Sequence, residues 1–322
     1  MTTTVLAAVA PVIVITALGF VMRRRNVLTP EADHSLLQVC LKLLYPCLIA
    51  TTIIGNPVLT QGINLWLPPL AGCLTILVGY LFGFLAARVL GIPPGPDTRT
   101  FVYVTAIYNY GYTAIPLAEA LFGQKTLGVM FTHNLGVEIA FWAGAGLILT
   151  HPGSKKRDVP LWRRILTYPV VSILVSIPLN LLGAKAWIPG WIFEGARMLG
   201  ACGIPMALIL TGATLSDYAA TMRPTRYGAK AALGGSLVRL GILPVAFLAL
   251  ARWLPCPVEL KQVLVIQSAM PCAMFPILLT RHYGGNTGMA VQIVVISTML
   301  AMLTIPYWIS FGLKFAGLSL PL

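Results

Sequence analysis

The sequence has very little charge. Only 10% of its 322 residues are Asp, Glu, Lys or Arg, against about 25% in an average soluble domain. Acidic residues are the scarcest, nine against 22 Lys and Arg. The six cysteines form no Cys-x-x-Cys pair and no Cys/His ligand spacing, and most of them lie in apolar runs. We therefore expect neither a soluble domain nor a metal site.

Catalytic signatures are also missing. There is no Gly-x-Ser-x-Gly, no Walker loop and no His-Glu-x-x-His, and the four histidines are scattered along the chain. Paired Asn-Pro-Ala half-helices, which would indicate a water or glycerol channel, are absent too. We expect no enzymatic activity, no cofactor and no ATP-driven transport by this chain alone. An intramembrane enzyme is the remotest alternative.

Long apolar runs are what the sequence does contain. Hydrophobic residues make up 57% of the chain and the mean hydropathy is +0.84. Runs of about 20 residues recur, and each can cross a hydrocarbon core of about 30 Å. The first run precedes Arg23, Arg24 and Arg25, an order that argues against a removable signal peptide. Ten membrane spans are predicted, at 4–22, 33–54, 65–88, 100–122, 126–149, 163–183, 189–214, 229–252, 260–281 and 288–313.

Basic residues predict the orientation of these spans. Loops after odd-numbered spans hold 14 Lys and Arg, whereas the other loops and the C-terminus hold five. By the positive-inside rule, the odd-numbered loops, including 151–160, face the cytoplasm and both termini lie outside. The net charge of +13 is thus interpreted as a topology signal, and we expect no nucleic-acid partner. The lipid bilayer of a cell membrane, the inner membrane of a bacterium, is the expected environment.

The two halves of the chain resemble each other, at an offset of about 160 residues. The matched residues are Pro11 and Pro169, Pro46 and Pro205, Pro116 and Pro276, and Gly128 and Gly288. Residues 1–155 and 156–322 would then be five-span repeats of one membrane unit. Since five is odd, the second repeat must enter the membrane from the opposite side, a construction typical of secondary transporters.

Spans 4 and 9 carry matching helix-breaking motifs. Span 4 contains Asn109, Gly111, Tyr112 and Pro116, and span 9 contains Gln267, Ser268, Met270, Pro271 and Pro276. Gly relaxes the backbone, while Pro removes an N–H donor and pushes the preceding residue away from helical geometry. Both spans should break near the bilayer midplane and expose half-helix N-termini that attract an anion. These nine residues are the candidate substrate-binding set. The alternative is a pair of merely kinked helices.

These segments, together with Tyr45-Pro46, Ile204-Pro205 and the two sets of five spans, resemble the auxin efflux carrier family. The resemblance implies an all-α membrane protein in which broken helices 4 and 9 cross at the substrate site, between a scaffold domain and a transport domain. It also implies a small organic anion as substrate, such as an auxin-like compound, malate or malonate. Members of that family are often homodimers, so a homodimer is one expected assembly.

Several polar residues inside spans are further candidates, for ion coupling or for neutralising substrate charge. They are Lys42, Glu119, His133, Glu138 and Gln292. Lys42 could instead snorkel or pair with Asp33 or Glu138, and Glu119 could be solvated near the surface.

Two of the remaining polar residues suggest structural roles. Arg239 is expected to pair with a carboxylate. Gln292 could bond across helices or face the site.

The sequence therefore predicts a carrier of small organic anions that works by alternating access. The alternative is an H+- or Na+-coupled antiporter or symporter of the same inverted-repeat class. That alternative usually requires a buried acid beside the crossing. Neither motif contains Asp or Glu, and Glu119 and Glu138 only flank one of them. Substrate identity, direction of transport and coupling ion are left open, and a sensor descended from a carrier stays an alternative.

Overall fold

The chain is mainly α-helical in the part that a computed structural model describes, residues 2–150, 160–223 and 225–320. Its α-helices are α1 (Thr2–Arg24), α2 (Pro30–Val39), α3 (Tyr45–Ile53), α4 (Ile63–Val89), α5 (Pro96–Ala106), α6 (Ala114–Gly144), α7 (Leu161–Ile165), α8 (Tyr168–Leu181), α9 (Gly190–Thr221), α10 (Arg226–Leu237), α11 (Leu243–Trp253), α12 (Val258–Ser268), α13 (Phe275–His282) and α14 (Thr287–Phe315). Short 3₁₀ turns lie at Pro57–Thr60 and Ala184–Ala186. No β-strand occurs in the described ranges, only an isolated bridge between Tyr108 and Cys272.

Within the described residues, six helical segments are long and apolar enough to cross a membrane. They are Thr3–Arg24, Pro30–Ile53, Ile63–Val89, Gly190–Thr221, Arg226–Trp253 and Thr287–Phe315. Large apolar side chains are exposed along them, for example Val14, Leu77 and Leu303. A surface of this kind is stable against lipid rather than water. The chain is an integral membrane protein.

The other predicted spans differ from continuous membrane helices. Predicted span 163–183 is divided between α7 and α8, because the chain leaves helical geometry at Leu166 and α8 begins again with Pro169 in its first turn. At 14 residues, α8 is about 21 Å long, short of a full hydrocarbon core. Predicted spans 4 and 5 meet inside α6, at Gly123 with φ of 73°, where the helix is kinked.

Two π-helical segments interrupt long helices just before a proline. Cys40–Leu44 precedes Pro46, and Val238–Ile242 precedes Pro244. Proline cannot donate to the preceding turn, so the local helix widens and a carbonyl is freed. The Leu240 carbonyl is one such group, and it accepts a 2.7 Å bond from the Trp308 indole. The widened turns carry the basic residues Lys42 and Arg239.

Small residues let helices from the two halves of the chain pack closely. Helix α1 contacts α9 through Thr16 and Gly19, and α9 contacts α1 through Gly212. A Cβ on Gly212 would lie 1.9 Å from the Thr16 carbonyl oxygen, so only glycine fits there. Such glycine contacts are typical of membrane helix interfaces. Helix α3 packs on α8 and α9, whereas α4, α5 and α6 pack with α10, α11, α12 and α14.

Candidate functional site

Two helix interruptions meet at the centre of the protein. Helix α5 ends at Ala106 and α6 begins at Ala114, while α12 ends at Ser268 and α13 begins at Phe275. Both interruptions fall within the segments where Gly and Pro predict a break. Unpaired backbone groups are costly inside a membrane. The two nonhelical segments satisfy part of this demand by pairing with each other.

The pairing is an antiparallel bridge of two backbone hydrogen bonds. Asn109 N–H donates to the Pro271 carbonyl at 2.8 Å, and Ala273 N–H donates to the Ile107 carbonyl at 2.9 Å. Pro271 has no N–H of its own, so it enters the bridge only as an acceptor. The bridge holds the ends of four half-helices in one place.

A cavity of about 570 Å³ opens beside the bridge. Residues from both halves of the chain line it, and ten of them are aromatic. The aromatic residues are Tyr45, Tyr108, Tyr110, Tyr112, Phe131, Phe141, Trp142, Tyr168, Tyr218 and Phe275. Polar lining is sparse and comes from Gln38, Lys42, Asn109, Asn134, Glu138, Thr167, Thr211 and Thr214. A mainly apolar cavity with a few polar groups is typical of a small-molecule site.

Asn109 and Tyr112 of the predicted set lie in this cavity, with Gly111 between them along the chain. The Asn109 amide donates from Nδ2 to Thr113 Oγ1 at 3.0 Å, and its side chain is 7% exposed. Tyr112 packs edge-on against Tyr45, with 6.0 Å between ring centroids. The break in span 4 thus presents polar and aromatic groups to the cavity.

Lys42 is the cation that lines the cavity. Its Nζ lies 5.5 Å from the centre of the Tyr168 ring. In the described part of the chain it forms no ion pair with Asp33 or Glu138, and Asp33 is paired with Arg23 instead. The predicted salt-bridge alternative for Lys42 is therefore wrong. Its charge stands over an aromatic face and is available to the cavity.

Glu138 is the acid that lines the cavity. One carboxylate oxygen accepts from the Tyr110 hydroxyl at 2.8 Å, and the other accepts from the Trp142 indole at 3.0 Å. Both donors are neutral, so the carboxylate is oriented without a cation. The imidazole of His133 lies elsewhere, with Nδ1 3.4 Å from Asn134 Oδ1.

The other predicted binding residues lie outside the cavity lining. Gln267 is fully buried and donates to Asn134 Oδ1 at 3.3 Å. Ser268 donates to the Val265 carbonyl at 2.7 Å. Met270 and Pro271 are buried within the bridge region. Pro116 and Pro276 are buried in the first turns of α6 and α13.

Three predicted coupling residues are also outside the lining. Glu119 accepts from Gln124 Nε2 at 2.6 Å on an exposed part of the surface. Gln292 donates to the Arg223 carbonyl at 3.0 Å, in the connection between α9 and α10, and is not among the cavity residues. His133 is completely buried beside Asn134.

Arg239 corrects a further prediction. Its described partners are three backbone carbonyls, those of Gln267, Ser268 and Met270, and not a carboxylate. A buried carboxylate is not required as a partner, because the backbone carbonyls at the end of α12 already carry partial negative charge.

Some cavity residues escaped the sequence reasoning. In the sequence, Tyr45 is distinguished only by the proline after it, and Asn134 was not among the predicted site residues. Thr211 and Thr214 lie on α9 and face the same cavity. Polar residues three apart in an apolar helix, as these two are, would have indicated one facing surface.

The membrane transport protein family model matches residues 4–309. An uncharacterized transporter of Methanothermobacter thermautotrophicus is 25% identical over 301 residues, covering 93% of this chain and 96% of the relative. An uncharacterized transporter of Methanocaldococcus jannaschii is 23% identical over 303 residues, covering 92% and 95%. The chain belongs to the membrane transport protein family. This is the auxin efflux carrier family that the sequence motifs predicted. The cavity thus lies in a membrane transport protein.

Proposed function

We propose that the protein is a secondary transporter of small organic anions, and that the cavity beside the helix bridge is its substrate site. The observation that carries the proposal is the pair of interrupted helices bridged to each other next to an aromatic cavity. Among the described residues that line this cavity, Lys42 is the one cation. An anion there could bond to Asn109 and approach Lys42, while its apolar part packs on the aromatic rings. Auxin-like acids, malate and malonate are the first compounds to consider.

Alternating access would come from two inverted repeats of five spans each, with both termini outside and the 151–160 loop in the cytoplasm of the cell membrane. Residues 151–159 lie outside the described part of the structure. Two interhelix bonds support the repeat. Thr126 donates to Gln262 at 2.5 Å, and Asn286 N–H donates to Thr100 at 2.9 Å. Thr126 and Asn286 are 160 residues apart, so they occupy equivalent positions in the two proposed repeats, and each forms a hydrogen bond with a residue of the other repeat.

A ligand screen tests the substrate proposal. The purified protein would be heated with malonate, malate or indole-acetate, and compounds that raise the unfolding temperature would then be offered to proteoliposomes as labelled substrates. We expect at least one organic anion to stabilise the protein and to be taken up. Stabilisation by none, together with flux of H+ or Na+ alone, would refute the proposal.

That second outcome defines the alternative, an H+- or Na+-coupled antiporter or symporter. Glu138 favours a role for protons, because it is an acid in the cavity wall without a described ion-pair partner. Glu138→Gln keeps the shape and the acceptor for Tyr110 while removing the titratable group. If substrate uptake is coupled to protons, this variant should exchange substrate but no longer respond to a pH gradient.

A further inference from the structure

The carbonyl end of the broken helix α12 is occupied by a side chain of the protein itself. Arg239 Nε donates to the Met270 carbonyl at 2.9 Å, and Nη2 donates to the Gln267 and Ser268 carbonyls at 3.0 and 3.1 Å. Helix α12 stops at Ser268, so its last carbonyls lack the regular N–H partners of a continuing helix; the Gln267 carbonyl also accepts the Met270 N–H at 3.4 Å, and Met270 lies just beyond the helix. In carriers with broken helices, carbonyls of this kind hold the coupling cation.

The surroundings of Arg239 suit a permanent charge. The side chain is completely buried, and its guanidinium carbon lies 4.9 Å from the centre of the Tyr108 ring and 5.0 Å from that of Phe247. No carboxylate pairs with it in the part of the chain that the structure describes. Aromatic faces and the negative pole of α12 therefore offset part of the cost of burying this charge, while Nη1 is buried without a hydrogen-bond partner among the described residues.

The corresponding place in the first half is built differently. The residue 160 positions before Arg239 is Gly79. A Cβ there would be 3.0 Å from the Cα, Cβ and carbonyl oxygen of Ala106, the last residue of α5. Direct backbone packing closes this end and leaves no room for a charged side chain. The cation at the crossing is thus a feature of the second half.

We propose that the Arg239 guanidinium is a resident cation that fills the carbonyl site at the end of α12 and makes a coupling metal cation unnecessary there. The consequence for coupling rests on the proposed transport function, whereas the role in filling the site does not. Removal of the side chain should leave three inward-facing carbonyls and a space that a small cation can enter.

Chemical rescue tests this inference. Unfolding temperatures of the purified wild type, Arg239→Ala and Arg252→Ala would be compared in choline chloride, with Na+ or low millimolar guanidinium added at constant ionic strength. Arg252 is an exposed arginine of the same span and serves as the control. We expect Arg239→Ala to unfold several degrees lower in choline and to recover when either cation is added. The wild type and the control should not change.

Several results would overturn the inference. If Arg239→Ala is as stable as the wild type in choline, the guanidinium is not needed. If Arg239→Ala is less stable and neither cation restores its unfolding temperature, Arg239 only fills space. If Arg239→Ala cannot be purified, Arg239→Lys replaces it. Its ammonium should keep the protein insensitive to Na+, and a new Na+ requirement would contradict the proposal.

Transport separates this inference from the proposed function. With a substrate identified by the ligand screen, uptake by the wild type should be equal in sodium and choline media, and uptake by Arg239→Ala should require Na+ or guanidinium. Cation rescue of stability without any organic anion transport would leave Arg239 as a resident cation and refute the substrate proposal alone.

Discussion

Asn109 offers the most direct perturbation of the proposed anion site. Its amide lines the cavity and is tied to Thr113 by a 3.0 Å bond. Asn109→Ala removes one hydrogen bond to the anion, worth about 1 kcal/mol, so substrate affinity should fall about fivefold. Asn109→Asp keeps the size but adds a negative charge. Two such charges about 5 Å apart at an effective dielectric constant of about 20 repel by about 3 kcal/mol, so affinity should fall about 100-fold.

Uptake of labelled substrate by proteoliposomes would measure both effects, with the unfolding temperature of each variant as the check on folding. Thr113→Val is the matched control, because it removes the internal partner and leaves the Asn109 amide in the cavity. It should lose less affinity than Asn109→Ala. Unchanged uptake by Asn109→Asp would refute an anion near this residue. Equal losses in Asn109→Ala and Thr113→Val would show that the bond only stabilises the break.

Three further changes test other parts of the structure. Lys42→Met should weaken anion affinity about tenfold, because a partly solvated charge pair is lost, while Lys42→Arg should keep the affinity. Uptake kinetics would measure both variants, and equal KM values for the two would argue against a charge effect. Gly136→Ala should lower the unfolding temperature, because its Cβ would lie 1.7 Å from the Pro69 carbonyl oxygen. Gly146→Ala, with nothing within 4 Å, should not. A reporter enzyme inserted in the 151–160 loop should report cytoplasm, and an external signal would invert the proposed topology.

The helix interruptions were predictable because their causes are local. Met270-Pro271 indicated a break because a proline disfavours helical geometry at the residue before it. A proline alone does not decide the outcome, since Pro205 and Pro306 lie inside continuous α-helices. The same reasoning placed Asn109 beside the first break. Long apolar runs likewise indicated α1, α4 and α14, since length and apolarity alone qualify a helix to cross a bilayer.

Partners across the fold were not predictable from local signals. Nothing near Arg239 in sequence indicates that its guanidinium meets the end of α12, some thirty residues later, and an arginine in a membrane span suggested a carboxylate by default. The bridge between Asn109 and Pro271 joins residues 162 apart. Lys42 was likewise undetermined, because a lysine can snorkel, pair or face a cavity, and only the packing of α8 places Tyr168 under its ammonium group.

The polar and charged residues of the cavity lie at positions where the two proposed repeats differ in sequence, not where they match. Of the prolines matched at an offset of about 160, Pro116 and Pro276 both lie in first turns, of α6 and α13, whereas Pro46 lies at the start of α3 and its match Pro205 lies inside α9. Polar residues at the same offset do not correspond: Lys42 matches Cys202, Glu138 matches Thr298, Asn109 matches Ala269 and Gly79 matches Arg239. Two symmetric repeats can form two equivalent access states, one open to each side of the membrane. A substrate with one charged end nevertheless needs an asymmetric binding site. Substitutions at matched prolines should therefore impair folding or movement for every substrate. Substitutions at Lys42, Asn109 or Glu138 should change which substrate is carried.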